Sequence, residues 1–143
     1  MSNSCELCCF DLSNALWQGD KFFIIAVNDD RFPGYTRLIW KKHVAEVTDL
    51  NDQDRVLMCQ ALFLIEQTMR DIMHPDKINL AQLGNMVPHL HWHLIPRYKD
   101  DTHFPESIWG MQQRKISSNL TDRKVLAESF FKTLPLVLNQ LIV

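Results

Sequence analysis

Apolar and polar residues recur along this chain with two different periods, and the switches between them predict its elements. Residues 22–27 form an unbroken apolar run of β-preferring side chains, which predicts a strand. Asn28-Asp29-Asp30 and Pro33-Gly34 supply turn chemistry, and residues 36–40 resume as the hairpin partner. A helix start falls within residues 48–51. From there to about Met73, residues Leu57, Ala61, Leu64, Thr68 and Ile72 return at three- and four-residue steps and predict one buried stripe. Pro75 ends that helix. Residues 78–83 read as a third strand and residues 88–96 as a fourth. A last helix starts at about Thr121 with Leu126, Phe130 and Leu134 on one side, and Pro135 kinks or ends it. This order predicts an α+β domain over residues 1–143, a mostly antiparallel β-sheet with a central helix and a C-terminal helix.

Composition narrows the classes of function. A chain of 143 residues, 46% hydrophobic and 22% charged, is long and apolar enough for one ordinary core and is not a disordered segment. The formal net charge of −2 lacks the basic footprint of a nucleic-acid binder, so no nucleic-acid partner is expected. A small anion stays compatible, because a local group of donors binds phosphate whatever the net charge. With only four glycines, neither common Gly-rich phosphate loop is present. Residues 1–10 carry no targeting pattern, and no apolar run approaches the roughly 18 residues of a membrane helix. A cytoplasmic protein without a membrane partner is expected, and Cys5, Cys8, Cys9 and Cys59 are then expected to be thiols or metal ligands rather than disulfides.

Pro88-His89-Leu90-His91-Trp92-His93-Leu94-Ile95-Pro96 carries the most chemistry. Alternate residues of a strand share a face, so His89, His91 and His93 line one side and Leu90, Trp92 and Leu94 the other. The second set is what a core requires; the first is three imidazoles in a row on an open surface. Alternate strand residues stand about 6.6 Å apart, too spread for all three to converge on one metal, whereas an extended polyphosphate matches the row. A neutral imidazole is nucleophilic near pH 7 when its other nitrogen holds the proton, commonly through a carbonyl. Two-step covalent catalysis follows: His91 takes the phosphoryl group, a flanking histidine supplies a proton to the leaving atom, and water releases the product. Asn79, Gly84 and Asn85 place uncharged donors and a close-approach backbone beside the histidines.

With these residues assembled, the chain resembles the histidine triad (HIT) family, whose signature His-x-His-x-His reads here as His89-Leu90-His91-Trp92-His93-Leu94-Ile95. Within that family it resembles dinucleoside polyphosphate hydrolases such as those acting on diadenosine tetraphosphate, and the family also implies nucleoside phosphoramidates and adenylated adducts as substrate classes. The segment from Asn79 to Pro88, the exit Ile95-Pro96-Arg97 and the hairpin ending in Lys41-Lys42-His43 fall in the same order, so the likeness covers roughly residues 5–100. It implies a nucleotidyl–histidine intermediate on His91, phosphate and leaving-group contacts from His93, and an electrostatic role or, in some branches, a metal for His89. It implies phosphate contact by Asn79, and Asn85 stands where many relatives carry glutamine. Asn28 or Asp29 falls where relatives hold ribose hydroxyls with an acid. Near Tyr35-Thr36 many members place a further histidine facing the triad, and this chain has none. The resemblance also implies a purine nucleotide substrate with adenine as the default base, no cofactor required for catalysis, and a homodimer, with the central helix and C-terminal segment as candidate surfaces.

Cys5-Glu6-Leu7-Cys8 has the gap of a zinc knuckle, but one pair is half a site. Some branches of the family complete it with a histidine after the second hairpin strand and the first histidine of the triad, which here are His43 and His89. That set implies a closed structural zinc; Cys9 competes with Cys8 as ligand, and Cys59 is read as a packing residue. His74 reads as a helix-end residue and His103 as solvated. Arg97 reads as a phosphate contact or a surface residue, and Trp17, Trp40 and Trp109 read as core or dimer packing ahead of a base pocket. The expected activity is hydrolysis of a nucleotide phosphoanhydride or phosphoramidate. A metallohydrolase, a nucleotide-binding scaffold and a nucleotidyl transferase are the alternatives.

Overall fold

The computed structural model describes residues 4–141. Its five strands, β1 (Trp17–Gln18), β2 (Phe22–Ala26), β3 (Thr36–Trp40), β4 (Lys77–Ala81) and β5 (His91–Arg97), form one sheet in the order β1-β2-β3-β5-β4. Every pairing is antiparallel. Two helices, α1 (Asp52–Met73) and α2 (Leu120–Leu138), pack on each other and on one face of that sheet. The α+β architecture read from the sequence is the one observed; the two-residue β1 is too short to leave a periodic signal.

Local chemistry explains the boundaries. The Asn51 side chain accepts the backbone N–H of Asp54 and caps α1, with Asp52 and Asp54 against the positive end of the helix dipole. At the other end His74 takes a left-handed conformation, φ 49°, and Pro75 bars continuation. Gly34, at φ 88°, turns the β2–β3 hairpin, and a Cβ there would stand 2.3 Å from Sδ of the buried Met73. Pro135 does not end α2, which runs on to Leu138.

Four expectations are corrected. The buried stripe of α1 is Met58, Ala61, Leu62, Ile65, Thr68, Met69 and Met73, rotated from the predicted one, so that Leu57, Leu64 and Ile72 flank the core. Cys59 is exposed rather than packed. The histidine strand begins at His91 rather than at residue 88; just before it the Leu90 carbonyl still accepts the Trp40 N–H, while the N–H groups turn to other partners. In that stretch His89 N–H meets the Val87 carbonyl, and Leu90 N–H meets the Val44 carbonyl. His103 is buried, beside an Arg97–Asp101 ion pair whose side chains are 2% and 4% exposed. Asp101 also accepts the backbone N–H groups of Tyr98, His103 and Phe104. This knot, with Asp100 receiving Ser117, Asn119 and Arg123, folds residues 98–119 back beside the histidine face of the sheet. No helix of the described residues is long and apolar enough to cross a membrane.

Candidate active site

The sheet has two unlike faces. Phe22, Ile24, Leu38, Trp40 and Leu94 turn toward the helices, while Arg37 and Ile39 of β3 lie opposite His93 and His91 of β5 on the other side. That second face is covered rather than open: His89, His91 and His93 are 1%, 8% and 5% exposed. His91 and His93 sit ring edge to ring face, with centroids 5.0 Å apart. They share a cleft of about 400 Å³ whose wall also includes Arg37, Leu7, Gly84, Asn85, Met86 and Trp109. Such a volume is the size of one nucleotide-scale ligand.

Each histidine is oriented by a different partner. His91 Nδ1 donates to the backbone carbonyl of His89 at 2.6 Å. A carbonyl only accepts, so the proton is fixed on Nδ1 and Nε2 carries the lone pair. His93 Nδ1 lies 2.6 Å from the Tyr35 hydroxyl. Arg37 bears on that same hydroxyl, and a guanidinium only donates, so the phenol proton is directed at His93 Nδ1 and the His93 proton sits on Nε2. Burial, followed by the positive charge of Arg37 and the neighbouring His91, pushes the His93 pKa down to about 4. His93 is therefore a neutral ring that donates a hydrogen bond at pH 7.

His89 faces elsewhere. Its Nε2 donates to the Trp40 carbonyl at 2.5 Å, which leaves the Nδ1 lone pair pointing at a cluster of Cys5, Cys8 and His43. His89 Nδ1 stands 3.5 Å from the Sγ of Cys5, 3.5 Å from that of Cys8 and 3.1 Å from His43 Nδ1, and His43 Nδ1 is 3.3 Å from Cys8 Sγ. Four donors arranged tetrahedrally about zinc, with Zn–S about 2.3 Å and Zn–N about 2.0–2.1 Å, stand roughly 3.3–3.8 Å from one another. These four spacings lie near that edge length, all four donor atoms lie within 4.8 Å of one another, and the carbonyl behind His89 is the outer partner that ligating histidines ordinarily have. The residues fit a structural zinc. Cys5, Cys8, His43 and His89 would hold the metal, which would tie the N-terminal segment to the residue whose carbonyl orients His91; Glu6 and Leu7, inside the same knuckle, reach the wall of the cleft.

The structure brings His91, His93, Gly84 and Asn85 to one cleft and places Cys5, Cys8, His43 and His89 in one cluster. It does not bring Asn79 or Asn28 to the cleft wall. The Asn79 amide oxygen accepts from Arg97 Nη1 at 2.8 Å, and Asn28 is exposed. The neighbouring Asp29 is held below the ordinary carboxylate range chiefly by Arg31, 2.9 Å away. Arg97 is a buried structural cation rather than a surface residue. Of the tryptophans, Trp40 is core, whereas Trp109 is half exposed and stacks edge-on against His93 with centroids 4.9 Å apart. Tyr35, Arg37 and Leu7 are site residues that the sequence reading passed over. An arginine within the otherwise apolar run of residues 37–40, opposite a histidine strand, was the available signal for Arg37.

The HIT domain model matches residues 12–100. No curated protein sequence matches the chain significantly. Among solved structures, a histidine triad protein of Marinobacter aquaeolei VT8 is 25% identical with a TM-score of 0.67, over 84% of this chain and 89% of that one. A histidine triad protein of Bradyrhizobium japonicum is 23% identical with a TM-score of 0.67, over 82% and 87%. A zinc-bound histidine triad family protein of Mycobacterium smegmatis is 21% identical with a TM-score of 0.65, over 97% and 99%.

Proposed function

Because this chain belongs to the HIT domain family, whose members are in general nucleotide hydrolases or transferases, we propose that it is a nucleotide hydrolase. Its reaction is cleavage of a phosphoanhydride or phosphoramidate bond through a nucleotidyl–histidine intermediate on His91. The observation that carries this reading is the His91 ring itself, buried in the cleft with its Nδ1 proton fixed on the His89 carbonyl. The one atom it has to offer a ligand is a nucleophilic Nε2.

In the first step Nε2 attacks the phosphorus attached to the nucleoside. The Nε2–P bond forms, the bond from phosphorus to the bridging atom breaks, and the bond's electron pair departs with the leaving group. Positive charge that develops on the His91 ring is met by the His89 carbonyl oxygen. His93 Nε2–H donates a hydrogen bond to the departing atom; an oxygen leaves as an anion, and an amine nitrogen takes up a proton from solvent. Water then attacks phosphorus, the Nε2–P pair returns to His91, and the water's spare proton passes to solvent, releasing a nucleoside monophosphate. Gly84, whose φ of 89° turns the backbone beside the cleft, and the Asn85 side chain supply uncharged contacts for the phosphate oxygens. A transferase differs only in the acceptor that replaces water.

The base is read as adenine and the protein as a cytoplasmic homodimer, in line with the family resemblance. The zinc-bound relative supports assigning zinc to the Cys5–Cys8–His43–His89 cluster. The test mixes protein with diadenosine tetraphosphate labelled in the nucleoside phosphate, quenches early in acid-free denaturant and looks for label on the chain. Label on wild type, absent from a folded His91→Ala variant that also releases no adenosine monophosphate, is the expected result. Equal turnover by the variant overturns the assignment.

A further inference from the structure

We propose that Arg37 is an anion subsite of the cleft, holding a second phosphate of the substrate beside the one that His91 attacks. The protein then acts on nucleoside polyphosphates in preference to phosphoramidates; this rests on the hydrolase reading above and narrows its substrate class.

The case begins with register. Arg37 pairs directly across from His93 in the β3–β5 ladder, so the guanidinium shares a face with both cleft histidines and lines the same cavity. It also lacks a carboxylate partner. Arg31, Arg97 and Arg123 each hold a carboxylate, Asp29, Asp101 and Asp100 respectively. Arg37 forms no ion pair among the described residues, and its buried Nε has no hydrogen-bond partner. The one carboxylate in the cleft wall, Glu6, is exposed and not paired with it. A half-buried guanidinium with no carboxylate partner is open to an anion supplied by a ligand, and its planar fork matches two phosphate oxygens.

Leaving-group chemistry points the same way. When Nε2 of His91 displaces a phosphate, the bridging P–O bond breaks and the electron pair stays on an oxygen that is stable as an anion at neutral pH. No proton has to be supplied, and the new charge falls beside Arg37. An amine expelled from a phosphoramidate must be protonated as it leaves. His93, kept neutral by burial and by Arg37, gives a hydrogen bond more readily than a proton. The cleft is thus arranged for an anionic leaving group.

The test is calorimetric titration of the full-length protein with AMP and with ADP, beside turnover of diadenosine tetraphosphate and of adenosine phosphoramidate. Wild type is expected to bind ADP at least about 10-fold more tightly than AMP, as one charge-assisted bidentate contact allows. Arg37→Gln is expected to bring that ratio near one and to lower the kcat/KM ratio of polyphosphate over phosphoramidate by about 10-fold or more. A wild-type affinity ratio near one, or a ratio that survives the substitution, overturns the subsite. Should Arg37→Gln fail to fold, the wild-type ratio and Arg37→Lys, which keeps the charge without the fork and should retain only part of the ratio, decide the matter. His91-dependent turnover with equal losses on both substrates sinks the subsite and leaves the hydrolase reading standing. An Arg37-dependent preference for ADP with no turnover of either substrate does the reverse.

Discussion

The Tyr35 hydroxyl reaches Nδ1 of His93 at 2.6 Å, from a residue 58 positions earlier in the chain. Tyr35 is itself 2% exposed, and burial raises its pKa, so at neutral pH it is a protonated donor that fixes one tautomer of His93. Tyr35→Phe is expected to lower kcat about 10-fold or more with little change in KM, because the ring loses its orienting partner. Nitrogen-15 NMR of the imidazoles should show the Nε2–H tautomer in wild type and a mixture in the variant. An unmixed tautomer in the variant would remove the role given to Tyr35.

Zinc is expected at one equivalent per chain by elemental analysis of protein purified without chelator. Cys5→Ser combined with Cys8→Ser should abolish it. A ligand bound at 100-fold above its Kd adds about 3 kcal/mol, which for a domain of this size corresponds to a fall in Tm of roughly 10 °C when lost. Unchanged melting with no zinc in either protein would end the assignment of the cluster as a metal site.

The Arg97–Asp101 pair gives a sharper stability test. Arg97 donates Nε and Nη2 to Asp101, Nη1 to Asn79 and Nη2 again to the Glu106 carbonyl, so four of its five N–H groups are engaged. Arg97→Met leaves a buried carboxylate unpaired and should cost about 3–5 kcal/mol in urea denaturation. Combining it with Asp101→Leu should recover part of that loss, since the stranded charge is gone. A single variant as stable as wild type would show the pair to be dispensable.

Two glycines with nearly the same backbone should differ in tolerance. Gly34 and Gly84 have φ of 88° and 89°, but a Cβ on Gly34 meets Met73 at 2.3 Å, whereas one on Gly84 finds nothing closer than 3.5 Å. Gly34→Ala is expected to cost about 2–4 kcal/mol from backbone strain plus overpacking, and Gly84→Ala about 1–2 kcal/mol from strain alone. Chemical denaturation of the two variants decides it; equal losses would contradict the packing argument.

His93 makes stability depend on pH with a definite sign. Its folded pKa, about 4, lies below the ordinary value of 6.5, so between those limits the unfolded chain takes up a proton that the folded one refuses. The stabilisation is complete above about pH 6.5 and is lost as pH falls toward 4, levelling off below. His103 is also pushed down by burial and acts in the same direction. The curve of Tm against pH should therefore fall less steeply over this interval in His93→Asn than in wild type; parallel curves would be the contrary result.

The sequence alone determined the layer architecture, because apolar periods of two and of three to four mark strands and helices without reference to any partner. It also named residues that the structure brings together: His91 and His93 share a face by alternation, and the Cys5–Cys8 pair, completed through the family resemblance by His43 and His89, forms one cluster. Tertiary structure decided what those residues touch. His89 lies ahead of the strand, where its Nε2 bonds the Trp40 carbonyl, its Nδ1 meets the cysteine cluster and its own carbonyl accepts from His91. Asn79 answers to Arg97, 18 positions along the chain, and Trp109 reaches His93 only because Asp100 and Asp101 tie down the intervening loop. The α1 stripe sits rotated from its predicted line because packing against α2 and the sheet, rather than the period of the helix, selects which neighbouring apolar residues are covered. Local periodicity fixes an element and its faces; long-range hydrogen bonds and close packing fix the partner of each face, and those depend on residues far apart in sequence.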